Sequence, residues 1–286
     1  MTEHECPGWP ADWLNGWLAA LGTTVLVPSL TLRWTDEPGP IAVIAAPGDD
    51  DPFDLIHESW PTQEAMADWP IARDAGSSAL PLNPSVEEWK QRVAERRDDP
   101  CAWMLSSLYT DGVWSQANRS YEVGRGQLHP PAPTGRTIHD RLMIMARHAV
   151  QLEDVAASAL GRPKRISGQG LGFDLGRISS MADSSAQLID PVTELLAFFG
   201  LALLPVRFGS RGAVQRGVKD RALQWFAWTE PLDRWGIDAA LDAVQPDRSG
   251  RREPRWPTVV GRWESRSFRA QSTMDTTRGH GAVRRP

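Results

Sequence analysis

Asp190-Pro-Val-Thr-Glu-Leu-Leu-Ala-Phe-Phe-Gly-Leu-Ala-Leu-Leu-Pro-Val-Arg207 is the stretch that decides the fold. Asp190 is a good N-cap, and Pro191 stands at the first helical position, where its missing N–H costs nothing. Leu195, Leu196, Phe198, Phe199, Leu201, Leu203 and Leu204 then leave no polar face. A helix apolar all round must be covered on every side, so this one is expected at the centre of the core. It is too short to cross a bilayer, and no other apolar run reaches the length that a spanning helix needs.

The residues upstream have the opposite character. Gly168-Gln-Gly-Leu-Gly-Phe-Asp-Leu-Gly-Arg177 is polar and rich in glycine, which permits close approach of the backbone to another group. Its glycine spacing is one residue off the dinucleotide pattern, and no clear βαβ unit surrounds it. A close-packed turn and a contact with a nucleic-acid backbone are the readings left open.

Working outward, residues 12–22 read as a helix with Asp12 as cap and Gly22 as stop. Thr23–Arg33, rich in β-branched residues, reads as a strand, and Ile41–Ala46 as its hairpin partner. Residues 50–84 read as loops with one short helix near 62–68. Ser85-Val-Glu-Glu88 is a capping box that opens another helix. Cys101–Val113 reads as strand or short helix, and 115–136 as a loop whose Arg119, Arg125 and Arg136 suit phosphate tracking. Thr137–Leu160 carries an unbroken 4-3 apolar spacing and reads as one long helix. Residues 206–221 read as basic and flexible, Leu223–Thr229 as a strand, and Pro231–Val244 as a last helix. Beyond Gln245 only Pro257–Val260 looks strand-like, and the final dozen residues are expected to be disordered. The expected architecture is α+β: a mixed or antiparallel sheet packed on two main helices, about 137–160 and 190–204. Residues 1–244 would form one domain, followed by an arginine-rich region, 245–286.

Charge is unevenly placed over the 286 residues. The net value of −5 hides −12 over residues 1–100 and +7 over the remainder. Arginine outnumbers lysine 28 to 3, and arginine is the better phosphate fork and aromatic stacker. Fourteen tryptophans stand against two tyrosines. The basic residues Arg177, Arg207, Arg211, Arg216, Lys219, Arg221, Arg262 and Arg266, interleaved with Trp225, Trp228, Trp256, Trp263 and Phe268, are therefore the candidate nucleic-acid contacts. Arginine forks and aromatic platforms are the two ingredients of single-strand binding.

Other chemistry finds no constellation. Cys6 and Cys101 are too few for a structural zinc site and suit a reducing cytoplasm. His139 and His148 are nine apart, not the i, i+4 spacing of a shared metal. No P-loop or nucleophile elbow is present, and Glu87-Glu88 and Glu153-Asp154 point different ways on their helices. Neither catalytic residues, nor a metal, nor a cofactor is expected.

Two blocks resemble a known family. Asp12-Trp-Leu-Asn-Gly-Trp-Leu-Ala-Ala-Leu-Gly22 is similar to the opening of certain CRISPR-associated proteins. Gly170-Leu-Gly-Phe-Asp-Leu-Gly-Arg177, followed by Asp190–Leu201 and Leu204-Pro-Val-Arg207, resembles a block found in subtype I-G (formerly I-U) systems. The small family encoded beside the helicase–nuclease of that subtype, or as its extension, is the nearest match. Trp228-Thr-Glu-Pro-Leu232 also fits. The resemblance implies a non-catalytic accessory or effector subunit in antiviral defence. Its partners would be the RNA-guided complex or its helicase–nuclease, with guide RNA or target DNA as a possible contact and no membrane. A protein-interaction adaptor that never touches nucleic acid is the alternative.

Overall fold

The computed structural model describes residues 2–67, 85–95, 103–116, 119–126, 128, 138–148, 151–167, 170, 188–209, 212–219, 222–244, 256–269, 278–280 and 283–284. In chain order its first half runs β1 (Thr2–Pro10), α1 (Leu14–Leu26), β2 (Thr31–Trp34), β3 (Ile41–Ala46), α2 (Pro52–Glu58), α3 (Gln63–Ala67), α4 (Val86–Glu95), α5 (Leu105–Leu108), β4 (Tyr109–Ser115) and β5 (Ser120–Arg125). There follow α6 (Ile138–His148), α7 (Leu152–Ala159), β6 (Ile166–Ser167), β7 (Leu188–Ile189), α8 (Pro191–Gly200) and a 3-10 turn (Leu201–Leu203). The chain continues with β8 (Val206–Gly209), β9 (Gly212–Gln215), β10 (Val218–Lys219), β11 (Ala222–Trp228), α9 (Arg234–Ala243), β12 (Val259–Arg269), β13 (Arg278–His280) and β14 (Val283–Arg284). Every strand pair among the described residues is antiparallel, and the fold is α+β.

The helix that starts at Asp190 forms as its sequence requires. Asp190 Oδ1 accepts from the Val192 N–H at 3.0 Å, Pro191 opens the helix, and all ten of its residues are buried. Its central neighbour is α1, which buries every residue from Leu14 to Val25. The two helices touch backbone to backbone through glycine. A Cβ on Gly22 would collide with the Leu196 carbonyl oxygen, and one on Gly200 with the Leu18 carbonyl oxygen. The sequence Leu18-Ala-Ala-Leu-Gly22 thus meets Leu196-Ala-Phe-Phe-Gly200 reciprocally.

Two sheets flank this pair. One has the order β1-β3-β2; the other runs β10-β11-β12-β13, with β14 beside β12. They join where Leu32 and Leu232 exchange backbone hydrogen bonds of 2.8 and 3.0 Å. Four buried tryptophans lock the layers through their N–H groups, while the buried Trp34 N–H finds no acceptor among the described residues. Trp17 donates to the Phe226 carbonyl (2.9 Å), Trp225 to that of Ala11 (2.7 Å), Trp228 to that of Leu32 (3.2 Å) and Trp9 to the Thr193 hydroxyl (3.0 Å).

Several expectations are corrected. Thr23–Leu26 is helix, not strand: the Thr23 and Thr24 hydroxyls bond back to the Ala20 and Leu21 carbonyls at 2.7 and 2.8 Å. The 137–160 stretch is two helices, because extended Gln151 starts α7 with a capping box shared with Asp154. The helix paired with α8 at the centre is therefore α1. Asp51 caps a helix, Pro52–Glu58, inside the presumed loop region, and Ser120–Arg125 is a strand paired with β4. Residues 206–219 form β8, β9 and β10 instead of an irregular stretch. In the arginine-rich region the strand reaches from Val259 to Arg269 and pairs with all of β11, with one register shift between Ala227 and Trp228.

Candidate nucleic-acid interface

Among the described residues, the cations singled out in the sequence stand in different settings. Arg216 follows β9, and its guanidinium is only 8% exposed. Its Nη1 donates to the Leu203 carbonyl at 2.9 Å and to Asp238 Oδ1 at 2.5 Å, while Nη2 lies 3.0 Å from Asp242 Oδ1. Asp238 and Asp242 are one turn apart on α9, so a single face of that helix presents both carboxylates to one arginine. Arg216 is thus a tie between α9 and the β8–β9 hairpin, with its charge neutralised inside the protein. Arg207, 63% exposed, reaches the same Asp242 at 3.6 Å. Lys219 is exposed on β10, Arg262 is half-buried on β12, and the Arg266 backbone pairs with Ala222. Arg177, Arg211 and Arg221 lie outside the described residues, as does the side chain of Phe268.

The presumed aromatic platforms are mostly core. Trp225, Trp228 and Trp263 are buried. Trp225 lies between Trp17, 6.3 Å away by ring centroids, and Trp263, on which it stacks at 6.5 Å. Only Trp256 of that set stands exposed.

The glycine-rich segment is anchored at a defined point. β6 and β7 pair Ile166 with Ile189 and Ser167 with Leu188, so the two ends of the chain that flank residues 168–187 lie side by side. Buried Gly170 has φ +51°, which favours glycine, and Arg141 Nη1 donates to its carbonyl at 3.0 Å. A Cβ there would stand 2.7 Å from Glu194 Oε2, so any larger residue would press on a buried carboxylate. Arg141 from α6 and Glu194 from α8 are almost fully buried, which places two ionisable side chains of opposite sign around this one backbone position.

Beside that anchor lies a feature passed over in the sequence. Arg162, Lys164 and Arg165 are exposed, and among the described residues their side chains enter no ion pair. Their presentation follows from how α7 ends. Gly161 adopts φ +76°, its N–H bonds the Ser158 carbonyl (3.0 Å), and the Arg162 N–H bonds that of Ala157 (2.8 Å). This is a Schellman motif, which turns the chain sharply out of the helix. Pro163 prevents its continuation. The signal was available in the sequence as charge rather than periodicity: no acidic residue occurs from Val155 to Phe173.

Among the described residues no group of three or more His, Cys, Asp or Glu side chains could hold a metal. Burial pushes the Cys6 thiol far above its ordinary value, with Glu5 adding to the effect, so it is no nucleophile. Ser158 and Thr193 hydroxyls both donate to Asp190 Oδ2, at 2.5 and 2.6 Å, which completes the cap of α8. No helix among the described residues is long and apolar enough to cross a membrane. In comparison with known proteins, no family model and no curated sequence matches this chain.

Proposed function

We propose that the chain is a non-catalytic accessory or effector subunit of a CRISPR–Cas antiviral system of the subtype I-G kind. It would act in the cytoplasm with the RNA-guided complex or its helicase–nuclease, and touch nucleic acid directly. One observation carries the nucleic-acid part: Arg162, Lys164 and Arg165 are exposed and unneutralised at the foot of the anchored glycine-rich segment. Exposed cations without carboxylate partners are available to replace the counterions of a phosphate backbone. The resemblance of Asp12–Gly22 and Gly170–Arg207 to the CRISPR-associated family supports the system and the partners.

The test is binding of labelled guide RNA, single-stranded DNA and duplex DNA over a salt series. Three phosphate contacts on a single strand give a log–log salt slope of about −2. The Arg162→Ser/Lys164→Ser/Arg165→Ser protein should lose that portion of the slope while keeping its thermal unfolding curve. Binding that ignores salt, or no binding, removes nucleic acid from the proposal. The adaptor reading would then stand, and a specific observation favours it: Asp238 and Asp242 already answer Arg216 and Arg207. It requires co-purification with the effector proteins that survives nuclease treatment.

A further inference from the structure

We infer that the far end of the β4–β5 hairpin is a base-stacking platform for single-stranded nucleic acid. Trp114 and Tyr121 are directly opposed across the two strands, their rings edge to face with centroids 5.2 Å apart. They are 46% and 63% exposed. A single exposed aromatic needs no explanation, but two large rings packed on each other in water leave apolar surface uncovered where burial would be favourable.

The hairpin is built to hold them out. At its near end Tyr109 and Val123 are buried, and Leu108 accepts from the Gly126 N–H at 2.7 Å. A bulge between Thr110 and Val113, with Gly112 at φ +79°, changes the register before Trp114. The base is therefore fixed in the core while the distal pair projects. Arg119 lies at the same distal end, one residue before the Ser115–Ser120 pair, in a left-handed conformation (φ 49°). It is exposed, and among the described residues it enters no ion pair. Of the acids on this hairpin, Asp111 on β4 has Lys90 at 3.9 Å, and Glu122 on β5, next to Tyr121, has a partner of its own. Two largely exposed rings and, at the same end of the hairpin, a guanidinium in no ion pair among the described residues match the alternation of base and phosphate along one strand. A duplex hides the faces of its bases within the stack, so it offers this platform only phosphates.

This inference rests on the proposed nucleic-acid function and specifies which strand form is read. The experiment measures fluorescence anisotropy of labelled oligo-dT, oligo-U and a duplex of equal length against the native protein, Trp114→Ala, Tyr121→Ala, Arg119→Ser and the triple Arg162/Lys164/Arg165 serine variant. Loss of a stacked base lowers affinity by on the order of 10-fold or more. That loss is expected for both aromatic variants on the single strands, with duplex affinity unchanged. A stronger effect on oligo-dT or on oligo-U identifies DNA or RNA as the strand held. Because a truncated ring can loosen the hairpin, Trp114→Tyr and Tyr121→Trp serve as companions, and each should retain single-strand binding. Unchanged single-strand affinity in the alanine variants, alongside loss in the triple variant, overturns the platform and leaves the proposed function standing. Equal loss on duplex and single strand also overturns it. A native protein that binds none of the three probes removes both.

Discussion

The two helices at the centre, α1 and α8, share a motif and differ in nearly everything around it. Leu18-Ala-Ala-Leu-Gly22 and Leu196-Ala-Phe-Phe-Gly200 press their glycines into each other's carbonyls. Yet α8 begins with a side-chain cap that also gathers Ser158 and Thr193, whereas Trp13 at the start of α1 makes no cap bond. Counting from the matched glycines, Glu194 occupies the place of Gly16. Gly16 packs against Pro10, while Glu194 lies against Gly170. The common motif is a packing device, and the chemical differences collect on the α8 side, where the glycine-rich segment and the unpaired cations lie.

That contrast can be broken first at its shared point. Gly22→Ala and Gly200→Ala each force a methyl into a backbone carbonyl, and each should cost about 3 kcal/mol or more in urea unfolding. Costs that differ by several kcal/mol would show that the contact is not reciprocal. Next, Asp190→Ala removes the cap and leaves two buried hydroxyls without their acceptor. A loss of about 2–3 kcal/mol is expected, read from the shift of the unfolding midpoint. The converse change sharpens the contrast: Trp13→Asp gives α1 the cap it lacks, in backbone already extended (φ −103°, ψ 123°), and should stabilise by about 0.5–1 kcal/mol.

The smallest effect is one of pH, and each half of the chain supplies a carboxylate. Burial alone would raise the Asp51 carboxyl, but hydrogen bonds from His4 and the Phe53 and Asp54 N–H groups, with the His4 charge, hold it below its ordinary value. Burial likewise tends to raise the Glu230 carboxyl, but hydrogen bonds from the Thr258 hydroxyl and N–H, and from its own and the Thr229 N–H, hold it below its ordinary value. A lowered folded pKa means that the unfolded chain takes up protons first as pH falls. Both groups therefore stabilise above the ordinary carboxylate range and lose that contribution below it. Asp51→Asn and Glu230→Gln should each flatten the acid limb of the stability–pH profile, and only modestly, since both side chains are largely solvated. An unchanged acid limb would refute the assignment.

Legibility in the sequence followed how local the cause was. Asp190-Pro191, the helix that opens after Ser85 and the Ile41–Ala46 strand declare themselves within a few residues, and the structure has them. Thr23-Thr24-Val25 favours a strand by propensity, yet it continues a helix whose Gly22 lies against Leu196 and Gly200 of α8, a contact well down the chain. The break near Gln151 is local but is a cap, invisible to a search for apolar period. In β12, Arg262, Glu264 and Arg266 alternate with buried Trp263 and Ser265, and it is pairing with β11 that makes the arginine-rich stretch a strand. The same distance defeats the site reading. Nothing near Arg216 in sequence shows that Asp238 and Asp242 will enclose it. Conversely, Arg162, Lys164 and Arg165 were plain as charge but hidden under a helix-stop signal.

The mutual dependence of α1 and α8 bears on how the chain is made. α1 buries every residue from Leu14 to Val25 and has no polar side to show to water. The bonds that tie it and the residues before it to β11 reach far down the chain: that of Trp17 to Phe226 spans 209 residues, and that of Trp225 to Ala11 spans 214. A nascent chain leaving the ribosome would carry this greasy helix without those contacts until β11 had followed it out. Such a protein invites a chaperone to hold α1, and expression of a fragment that ends before α8 should yield aggregate.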